Sequence, residues 1–523
     1  MSFRQNEQGF GLVGILSFMI ALAIFGGAVL TVIFTNFFVV GNSATSQQAF
    51  NIAEAGANYY LWHMSHNPTD YKDGQSTPST PDPTLGYGPY THDYVDDDGV
   101  TTGTYTLWIN PASSGSTIAT VRSIGQVNDS DITRTVEVKI GAKSFASYGL
   151  VSDTALWFGN TESADGPVLS NVGIRMDGAN SDTVYSANST YVPPSNLGGN
   201  GASHPGVWCS SSVTTPVNCN TRDKSNWIYP TSSVDFTQVS GSLCTMKKTA
   251  FADDAATASY ATQSNACTLT PSTRTSAYVP QRASSFSATR GYLLQLNSND
   301  TYNLYNVSGE NDRSTPYTSA LTYTTVATNI NLPTSGVIFV EDNVWVRTNG
   351  NFTGRVTIAS GRLASSSYTT DVNIADDITY ANKDGTDVIG LVAEGDINLK
   401  PYAPPATGNF NFEVDAALLA QSGSVIYPGK YVSSSTRNTR GWVGSSQTFT
   451  FYGSVASRQT WTWTWLTGCS GDAVYDSSSG YCISGILHNS TSYDYNLLYA
   501  PPPSYPVTGG YQILSWREVL TKP

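Results

Sequence analysis

Cysteines are the residues whose type and spacing point most directly to chemistry. The chain has six of them, in separated local pairs. This pattern is typical of disulfides in an oxidising compartment outside the cytoplasm. A structural metal site would favour Cys-x-x-Cys pairs, and the sequence has none. The connectivity is open, and the simplest set joins neighbours: Cys209–Cys219, Cys244–Cys267 and Cys469–Cys482.

Carboxylates are the next candidates, because paired Asp and Glu side chains serve as general acids and bases. The candidate pairs are Asp376 with Asp377, and Asp387 with Glu394 and Asp396. Turns of β proteins also use Asp widely, and the sequence has neither a nucleophile elbow nor a phosphate-binding loop. We therefore expect no enzyme activity, no catalytic residue and no cofactor.

Metal ligation is the other chemistry that these side chains could perform. Asp96-Asp97-Asp98-Gly99 is the densest acidic cluster, but it lacks the spaced ligands and the distal Glu of an EF-hand loop. His63 and His66 lie three positions apart without a nearby Glu ligand. We interpret the acidic cluster as a solvated turn and predict no metal site.

A row of indoles could bind a ligand without any chemistry. Trp461, Trp463 and Trp465 alternate at the period of a β-strand, which places the three rings on one face. Such a row could stack on sugar rings, or it could pack beneath the loop between Cys469 and Cys482. Large aromatic side chains are usually buried, so packing is the favoured interpretation.

The composition of the chain excludes one class of partner. Acidic residues outnumber basic ones by 39 to 26, the net charge is −13, and no run of five Lys or Arg occurs. Nucleic acid is therefore not an expected partner, because phosphate binding depends on clustered cations. Charged residues make up 12% of the 523 residues, about half the usual share, which favours an exported β-rich protein.

The N-terminus carries an uncharged segment long enough to cross a membrane. No charged residue occurs between Glu7 and Glu54, and a span needs about 20 apolar residues. A secretory signal is cleaved after its apolar core, whereas here the only leader is the polar segment Met1–Gly9 in front of the apolar run. Apolar residues then continue at helical spacing, so we predict one helix over about Phe10–Met64.

Two segments resemble a known family. Gln8-Gly9-Phe10-Gly11-Leu12-Val13 resembles the class III leader junction of type IV prepilins and pseudopilins. Ala49-Phe50-Asn51-Ile52-Ala53-Glu54-Ala55-Gly56 is similar to a segment of PilX-type minor pilins. The resemblance implies that a prepilin peptidase cuts after Gly9 and that the new N-terminus, Phe10, is methylated. Most pilins have Glu at the fifth position after the cut, where this chain has Gly14.

The resemblance also implies partners and a location. The N-terminal helix would hold the chain in the cytoplasmic membrane as a single pass, with the head outside the cytoplasm. The pilus assembly machinery would later bring this helix against other pilin subunits at the cell surface. An unpaired carboxylate in lipid is costly, so a Glu at this position favours contact with a neighbouring subunit. Gly14 lacks this signal for assembly, which suits a minor or tip-like subunit. A plain signal anchor with a retained leader is the alternative.

Strand patterns fill the rest of the chain. Alternating segments such as Thr133–Ile140 predict a small antiparallel sheet packed on the helix. Further on, short strands recur at intervals of roughly 20–30 residues without a helical pattern, which predicts a parallel β-solenoid. A Ser/Thr/Asn-rich stretch over about 180–330, with four of the six cysteines, predicts an insertion that lacks a core and is held by disulfides.

The predicted fold class is therefore α+β, mainly β. The expected parts are a leader over 1–9, a transmembrane and stalk helix over 10–64, the antiparallel sheet over 65–145 and the solenoid over 146–523. Tyr493–Tyr499 and Ile513–Glu518 resemble the ending of a pilin-associated surface family with a β-helical domain. These features favour a minor or tip-like type IV pilus subunit for surface attachment or filament assembly, with a surface or glycan ligand left open. The alternatives are a secretion-type pseudopilin and a membrane-anchored enzyme acting on surface polysaccharide.

Overall fold

The structure is a computed structural model in which the chain divides into two compact units. The first comprises the described parts of Met1–Pro111, Ala119–Gly141 and Tyr511–Pro523, and the second those of Ala112–Ile118 and Ala142–Gly510. The residues that the structure describes are 8–76, 80–112, 116–159, 162–210, 219, 222–282, 286–310, 321–365, 367–374, 376–400, 410–427, 447–467, 474–476 and 481–520.

The elements before residue 230 are one long helix and many short strands. They are α1 (Gln8–His66), β1 (Tyr87–Val95), β2 (Thr101–Asn110), β3 (Ala119–Val127), β4 (Thr133–Ser144), β5 (Leu150–Ser152), β6 (Leu156–Phe158), β7 (Ser163–Ala164), β8 (Val168–Ser170), β9 (Ile174–Met176), β10 (Ala179–Asn180), β11 (Val184–Ser186), β12 (Thr190–Tyr191), β13 (His204–Pro205), β14 (Val207–Trp208) and β15 (Trp227–Ile228).

The elements after residue 230 begin with two helices and continue with strands. They are α2 (Gln238–Ala252), α3 (Ala258–Ala261), β16 (Tyr278–Val279), β17 (Gly291–Asn297), β18 (Thr301–Glu310), β19 (Leu321–Asn331), β20 (Val337–Val340), β21 (Val344–Asn349), β22 (Arg355–Ser360), β23 (Val372–Ile374), β24 (Val388–Ala393), β25 (Ile397–Leu399), β26 (Phe410–Ala420), β27 (Val425–Ile426), β28 (Gln447–Ser457), β29 (Thr464–Thr467), β30 (Val474–Asp476), β31 (Tyr481–Gly485), β32 (Asn489–Tyr493) and β33 (Val507–Val519).

The first unit is built on α1, a continuous helix of 59 residues. Most apolar side chains between residues 11 and 40 are exposed; Phe25 and Phe37 leave 72% and 74% of their surface open. Further along, a stripe of apolar side chains at helical spacing is buried: Ala49, Ile52, Ala53, Ala57, Tyr60 and Met64. The helix passes through Gly26-Gly27 without a break, and it is long and apolar enough to cross a membrane.

A sheet covers the buried stripe of α1. Its strands lie in the order β1-β2-β3-β4-β33, and the pairs among β1–β4 are antiparallel. Alternate residues of the inner strands, such as Leu107, Ile109, Val121 and Val136, form one core with the helix stripe. This alternation is the period of a half-buried strand, and it confirms the predicted small antiparallel sheet on the helix.

The last strand of the chain returns to the first unit. β33 lies beside β4, and Arg517 Nε donates to Glu137 Oε1 at 2.7 Å. Trp516 packs edge-on against Phe50 of α1, with ring centroids 5.7 Å apart. The sequence analysis placed all of 146–523 in one C-terminal domain. Most of β33 instead belongs to the first unit, because it extends a sheet whose other strands lie near the N-terminus.

The second unit consists mainly of short parallel strands. Its largest sheet has the order β15-β11-β8-β5-β28-β26-β24-β22-β20-β16, and β32 also pairs with β28. A second sheet has the order β19-β18-β17-β21-β23-β25-β27, and a third has the order β14-β9-β6. Consecutive strands of the chain, such as β24 and β25, belong to different sheets, so the chain returns to the largest sheet after each excursion.

The spatial order of these strands differs from their order in the chain. Along the largest sheet, the run from β20 to β28 is followed by the run from β5 to β15. β28 pairs with β5 through Val455–Ser457 and with β32 through Phe449–Gly453. The sheet therefore forks at β28. We call this fork, where the C-terminal run of strands meets the N-terminal run, the seam.

The predicted insertion over about 180–330 contains α2, which the sequence analysis did not predict. Val239, Leu243 and Met246 of this helix are buried in the main core of the unit, and Lys247 pairs with Glu341. In addition, β11, β14 and β15 continue the parallel sheets. The expectation of a coreless insertion is therefore corrected, because this stretch contributes both strands and a helix to the common core.

The long helix followed by mainly β structure, with both antiparallel and parallel sheets, agrees with the predicted α+β class. The described strands form no closed sheet. The parallel β-solenoid therefore remains a prediction.

Candidate functional site

The predicted processing and assembly residues lie at the N-terminal end of α1. The helix begins at Gln8, so Gly9, Phe10 and Gly14 belong to its first two turns. A Cβ added to Gly14 would have no atom within 4 Å, so the helix surface has room for a larger side chain there. Cleavage after Gly9 and methylation of Phe10 stay predictions.

The segment Ala49–Gly56, which carries the resemblance to minor pilins, places its small residues where α1 meets the sheet. Gly56 faces the ring of Tyr105 on β2, and Gly125 on β3 faces the backbone of α1. A side-chain carbon at either glycine would overlap the opposite element. These glycines therefore set the short distance between helix and sheet.

A set of polar residues, here called the polar clamp, holds the loop that follows α1: Tyr59, His63, Asp70, Asp73 and His92. His63 Nε2 lies 3.1 Å from Asp70 Oδ2, and His92 Nε2 lies 2.6 Å from Asp73 Oδ2. Tyr59 Oη donates to Asp73 Oδ1 at 3.0 Å. His63 and Asp73 are buried. The clamp joins the end of the helix, the loop and β1, and the sequence analysis missed it because its pairs form only in the folded chain.

The histidines near the end of α1 point to different partners. His63 faces Asp70, whereas the Nδ1 atom of His66 lies 2.8 Å from the carbonyl oxygen of Trp62. Burial alone would raise the pKa of Asp70, but the backbone N–H groups of Lys72 and Gly74 and the His63 ring hold it below its usual value. Asp70 therefore serves as a hydrogen-bond acceptor for the backbone N–H groups of its own loop.

Two predicted cysteine pairs are disulfide-bonded in the structure. The Cα atoms of Cys209 and Cys219 are 5.9 Å apart, and those of Cys244 and Cys267 are 5.0 Å apart. The second pair ties α2 to the loop after α3. The third predicted pair includes Cys469, which lies outside the described residues.

The tryptophan row is largely packed. Trp463 is only 5% exposed and lies edge-on to Phe449 and Phe451, with centroids 5.0 and 5.2 Å away. Trp461 packs against Trp463 at 5.4 Å, and Trp465 donates its Nε1–H to a backbone carbonyl. The row does not form one strand, because β29 begins only at Thr464.

The carboxylates that could have formed acid–base pairs accept hydrogen bonds from backbone N–H groups. Asp377 accepts from the N–H of Glu413 at 2.9 Å, and Asp396 accepts from that of Ser424 at 2.7 Å. Asp387 accepts from backbone N–H groups of two separate turns. Each of these carboxylates joins neighbouring segments of the parallel sheets.

The remaining acidic candidates have similar local roles. Glu394 accepts from the N–H of Arg362 at 2.6 Å, and Asp376 accepts from the N–H of the next residue at 3.0 Å. Within the acidic turn, Asp96 accepts from the N–H of Val100 at 2.9 Å. The described part of the chain contains no group of three or more His, Cys, Asp or Glu side chains arranged to hold a metal ion.

A ladder of polar side chains runs along one corner of the parallel sheets, and the sequence analysis missed it as a unit. Asn343 Oδ1 accepts from the N–H of Asp371 at 2.9 Å, and Asp371 Oδ1 accepts from the N–H of Asp396 at 2.8 Å. Asp396 continues the series to Ser424. We call these residues the corner ladder. Burial raises the pKa of Asp371 to about 6, and the charge of Asp396 adds to this effect.

Comparisons with known proteins do not establish a family. No family model matches the chain, and no curated protein matches it. Among solved structures, the chain is similar to the competence-associated pilin ComZ from Thermus thermophilus. The identity is 12% over 91% of this chain and 98% of that chain, with a TM-score of 0.27. A likeness this weak supports no conclusion about the function of this chain.

Proposed function

We propose that this chain is a minor or tip-like subunit of a type IV pilus that carries a large head at the cell surface. The observation that carries the proposal is the division of α1 into an exposed apolar half and a half whose stripe is buried under a sheet. One end of such a helix can be held by lipid or by other helices, while the other end braces the head.

The exposed half of α1 requires an apolar environment. Burying one large apolar side chain is worth about 1.5–3 kcal/mol, and the side chains from Leu12 to Val40 lie open along most of this segment. A bilayer supplies this environment first, with the helix as a single pass in the cytoplasmic membrane. The helices of other pilin subunits supply it after assembly, when a prepilin peptidase has removed the leader at Gly9.

Gly14 supports a position outside the repeating shaft of a filament. A Glu at this position would place a carboxylate in lipid, where the cost of an unpaired charge drives it towards a partner. A subunit with Gly14 cannot make that contact. A tip or minor position, where fewer neighbours must be matched, suits such a subunit.

We also infer that the parallel sheets of the second unit form a β-solenoid that serves attachment or assembly rather than catalysis. In the largest sheet, β20, β22, β24, β26 and β28 pair in parallel and in register, each with the next. In the second sheet, β21, β23, β25 and β27 do the same. The corner ladder adds side-chain hydrogen bonds from one turn to the next. The acidic residues that could have served as acid–base pairs are occupied by backbone N–H groups, which favours a structural role for them.

Blocking the leader junction tests the proposal. The resemblance implies that the peptidase cuts directly after Gly9, and Gly9→Val places a β-branched side chain at the cut. This variant should leave the leader in place and remove the protein from sheared surface filaments. Gly11→Ala is the matched control, because a Cβ at Gly11 meets no atom within 4 Å. Recovery of Gly9→Val protein, leader attached, in filaments at the control level would contradict the proposal.

A further inference from the structure

A lysine and a glutamate meet in the core of the second unit, between α2 and β20. Lys247 lies on α2, and Glu341 directly follows the last residue of β20. Their side chains are 0% and 1% exposed, and Lys247 Nζ contacts the carboxyl group of Glu341. The ring centroids of Phe251 and Phe339 each lie 5.8 Å from the same nitrogen. The amine and the carboxyl group therefore meet beside two aromatic rings, away from solvent.

Burial shifts both members of this pair towards their neutral forms. It lowers the pKa of Lys247, although the nearby Glu341 carboxyl group opposes the shift. It also raises the pKa of Glu341, although Lys247 opposes that shift in turn. These directions are physically reasonable, because the cost of burying two charges can exceed the attraction between them. The neutral amine is the nucleophilic form of lysine, so the pocket favours the form that can react.

A second lysine in the same unit shows the opposite behaviour. Lys383 Nζ lies 2.8 Å from Asp415 Oδ1, but the Lys383 side chain is 41% exposed. Burial would lower the pKa of Lys383, but the hydrogen bond and the charge of Asp415 raise it above its usual value. Lys383 therefore stays an ammonium group, which is not a nucleophile. Contact with a carboxyl group is common to both lysines, and complete burial distinguishes Lys247.

The backbone around the pair holds the two reacting groups in contact. Lys247 Nζ donates to the carbonyl oxygen of Cys267 at 3.0 Å, and Cys267 is bonded to Cys244 on α2. The N–H of Glu341 donates to the carbonyl oxygen of Val279 on β16 at 3.0 Å. Groups fixed in this way react as if their concentration were about 10⁵–10⁸ M. Slow amide formation between them then becomes feasible without an enzyme.

Tyr278 of β16 adds a proton donor beside the pair. Its hydroxyl lies within hydrogen-bonding reach of the Glu341 carboxyl group, and it is also 3.4 Å from the carbonyl oxygen of Pro271. Burial, followed by the charge of Glu341, raises the pKa of Tyr278 well above its usual value. The hydroxyl therefore keeps its proton, and a positioned donor of this kind can protonate a departing oxygen.

We propose that Lys247 and Glu341 become joined by an isopeptide bond once the second unit has folded. Lys247 Nζ attacks Cδ of Glu341, so that a C–N bond forms, a C–O bond breaks and one water molecule leaves. The nitrogen loses a proton and the departing hydroxyl gains one, and the Tyr278 hydroxyl relays this transfer. The reaction consumes no oxidant, reductant or other co-reactant. The inference goes beyond the proposed function and does not depend on it, because all three residues lie in the second unit.

The bond would fasten α2 to the largest sheet in a way that neither a reductant nor a denaturant reverses. It would close the chain between residues 247 and 341, and the restriction that a cross-link places on the unfolded chain grows with the length of the closed loop. The Cys244–Cys267 disulfide closes a much shorter loop, with a separation of 23 residues.

The intact mass of the full-length chain, purified in detergent and then reduced and denatured, tests the inference. Reduction is needed because disulfides also lower the mass. We expect the wild type to be lighter than its sequence mass by one water, about 18 Da. Trypsin should then release Ser225–Lys248 joined to Ser314–Arg347, because an amide on Lys247 prevents cleavage there. Normal cleavage after Lys383 is the internal control.

Variants show whether this pair is the source of the mass loss. The double variant Lys247→Met, Glu341→Leu replaces both polar groups, so it leaves no unpaired charge in the core. It should have its full sequence mass. Tyr278→Phe should lower the cross-linked fraction about 10-fold or more at early times after synthesis. Tyr302→Phe, which also loses a buried hydroxyl, is its control and should match the wild type. Thermal unfolding of each variant checks that the fold is retained.

Three results would overturn the inference. A reduced wild-type chain of full sequence mass would show that the pair is only a buried ionic contact. A loss of one water that persists in the double variant would place the reaction elsewhere in the chain. Cross-linking of Tyr278→Phe at the wild-type rate would refute the proton relay.

Discussion

Gly125 of β3 lies so close to α1 that a Cβ at this position would overlap the carbonyl oxygen of Ala49. Gly56, on the helix, has the same relation to the sheet, since its Cβ would lie 2.7 Å from the ring of Tyr105. The helix and the sheet therefore meet at a distance that only glycine allows. This contact connects the exposed half of α1 to the head.

Adding one methyl group at this contact should loosen the first unit. We expect Gly56→Ala to lower the free energy of unfolding by about 1–3 kcal/mol, because the new Cβ must displace Tyr105 or the helix. Gly41→Ala, on the exposed face of the same helix, should be neutral or stabilising by about 1 kcal/mol. Hydrogen exchange of residues 49–64 measures both variants, and equal effects would show that the close contact is unimportant.

The corner ladder should make the second unit sensitive to pH. Asp371 has a folded pKa of about 6, against about 3.9 in an unfolded chain. Its contribution to stability is therefore fully present below about pH 4 and is lost as the pH rises through about 6. Asp371→Asn keeps an acceptor, as Asn343 does one turn earlier. It should raise the free energy of unfolding by about 1–3 kcal/mol at pH 7.5 and by little at pH 4.

Urea unfolding at the two pH values checks this prediction. Asn343→Asp is the reciprocal control, because it adds a buried carboxyl group to the same ladder and should be more destabilising at pH 7.5 than at pH 4. An effect of Asp371→Asn that is the same at both pH values would mean that the carboxyl does not titrate in this range.

Glu137 should give the first unit the opposite dependence on pH. Burial would raise the pKa of Glu137, but Arg122 and Arg517, which donate to it at 2.6 and 2.7 Å, hold it below its usual value. Its contribution is therefore present above the unfolded pKa of about 4.3 and is lost as the pH falls through the lower folded value.

We expect Glu137→Gln to cost about 1–3 kcal/mol at pH 7, because two charged donors lose their carboxylate partner. The cost should shrink towards pH 3, where the wild-type carboxyl also becomes protonated. Hydrogen exchange of residues 119–140 reports on this unit alone. A cost that stays constant down to pH 3 would rule out an ionic role for Glu137.

The position of Gly14 predicts a change in assembly without a change in folding. A Cβ added to Gly14 meets no atom within 4 Å, so we expect the head of the Gly14→Glu variant to be as stable as that of the wild type. The new carboxylate should increase the recovery of the protein in sheared filaments, because it restores a charge that seeks a partner in lipid. Gly14→Gln is the uncharged control. Equal recovery of both variants would show that the charge does not direct assembly.

The features that the sequence predicted best depend on local patterns. The charge-free run and the helical spacing of Ala49, Ala53 and Ala57 predicted α1, and the alternation of Val136, Val138 and Ile140 predicted the sheet. These signals lie within one element, so they survive without knowledge of the fold. Close spacing also identified the cysteine pairs of the described residues.

The features that were missed depend on distant contacts. Val239, Leu243, Met246 and Ala250 have helical spacing, but the surrounding Ser and Thr residues concealed α2. The segment Ile513–Glu518 lies in β33, and no local signal in its sequence shows that this strand joins the sheet of the first unit. In the same way, an Asp that caps a turn and an Asp that catalyses look alike in a sequence, because only the distance to a backbone N–H group distinguishes them.

The central claim is that the exposed half of α1 is a processed pilin helix. Intact-mass and N-terminal analysis of protein recovered from cells or sheared filaments tests it most directly. The account predicts a chain that has lost Met1–Gly9 and begins at Phe10 with an added methyl group. A mature chain that still carries Met1–Gly9 would contradict it, and the protein would then be a membrane-anchored surface protein rather than a filament subunit.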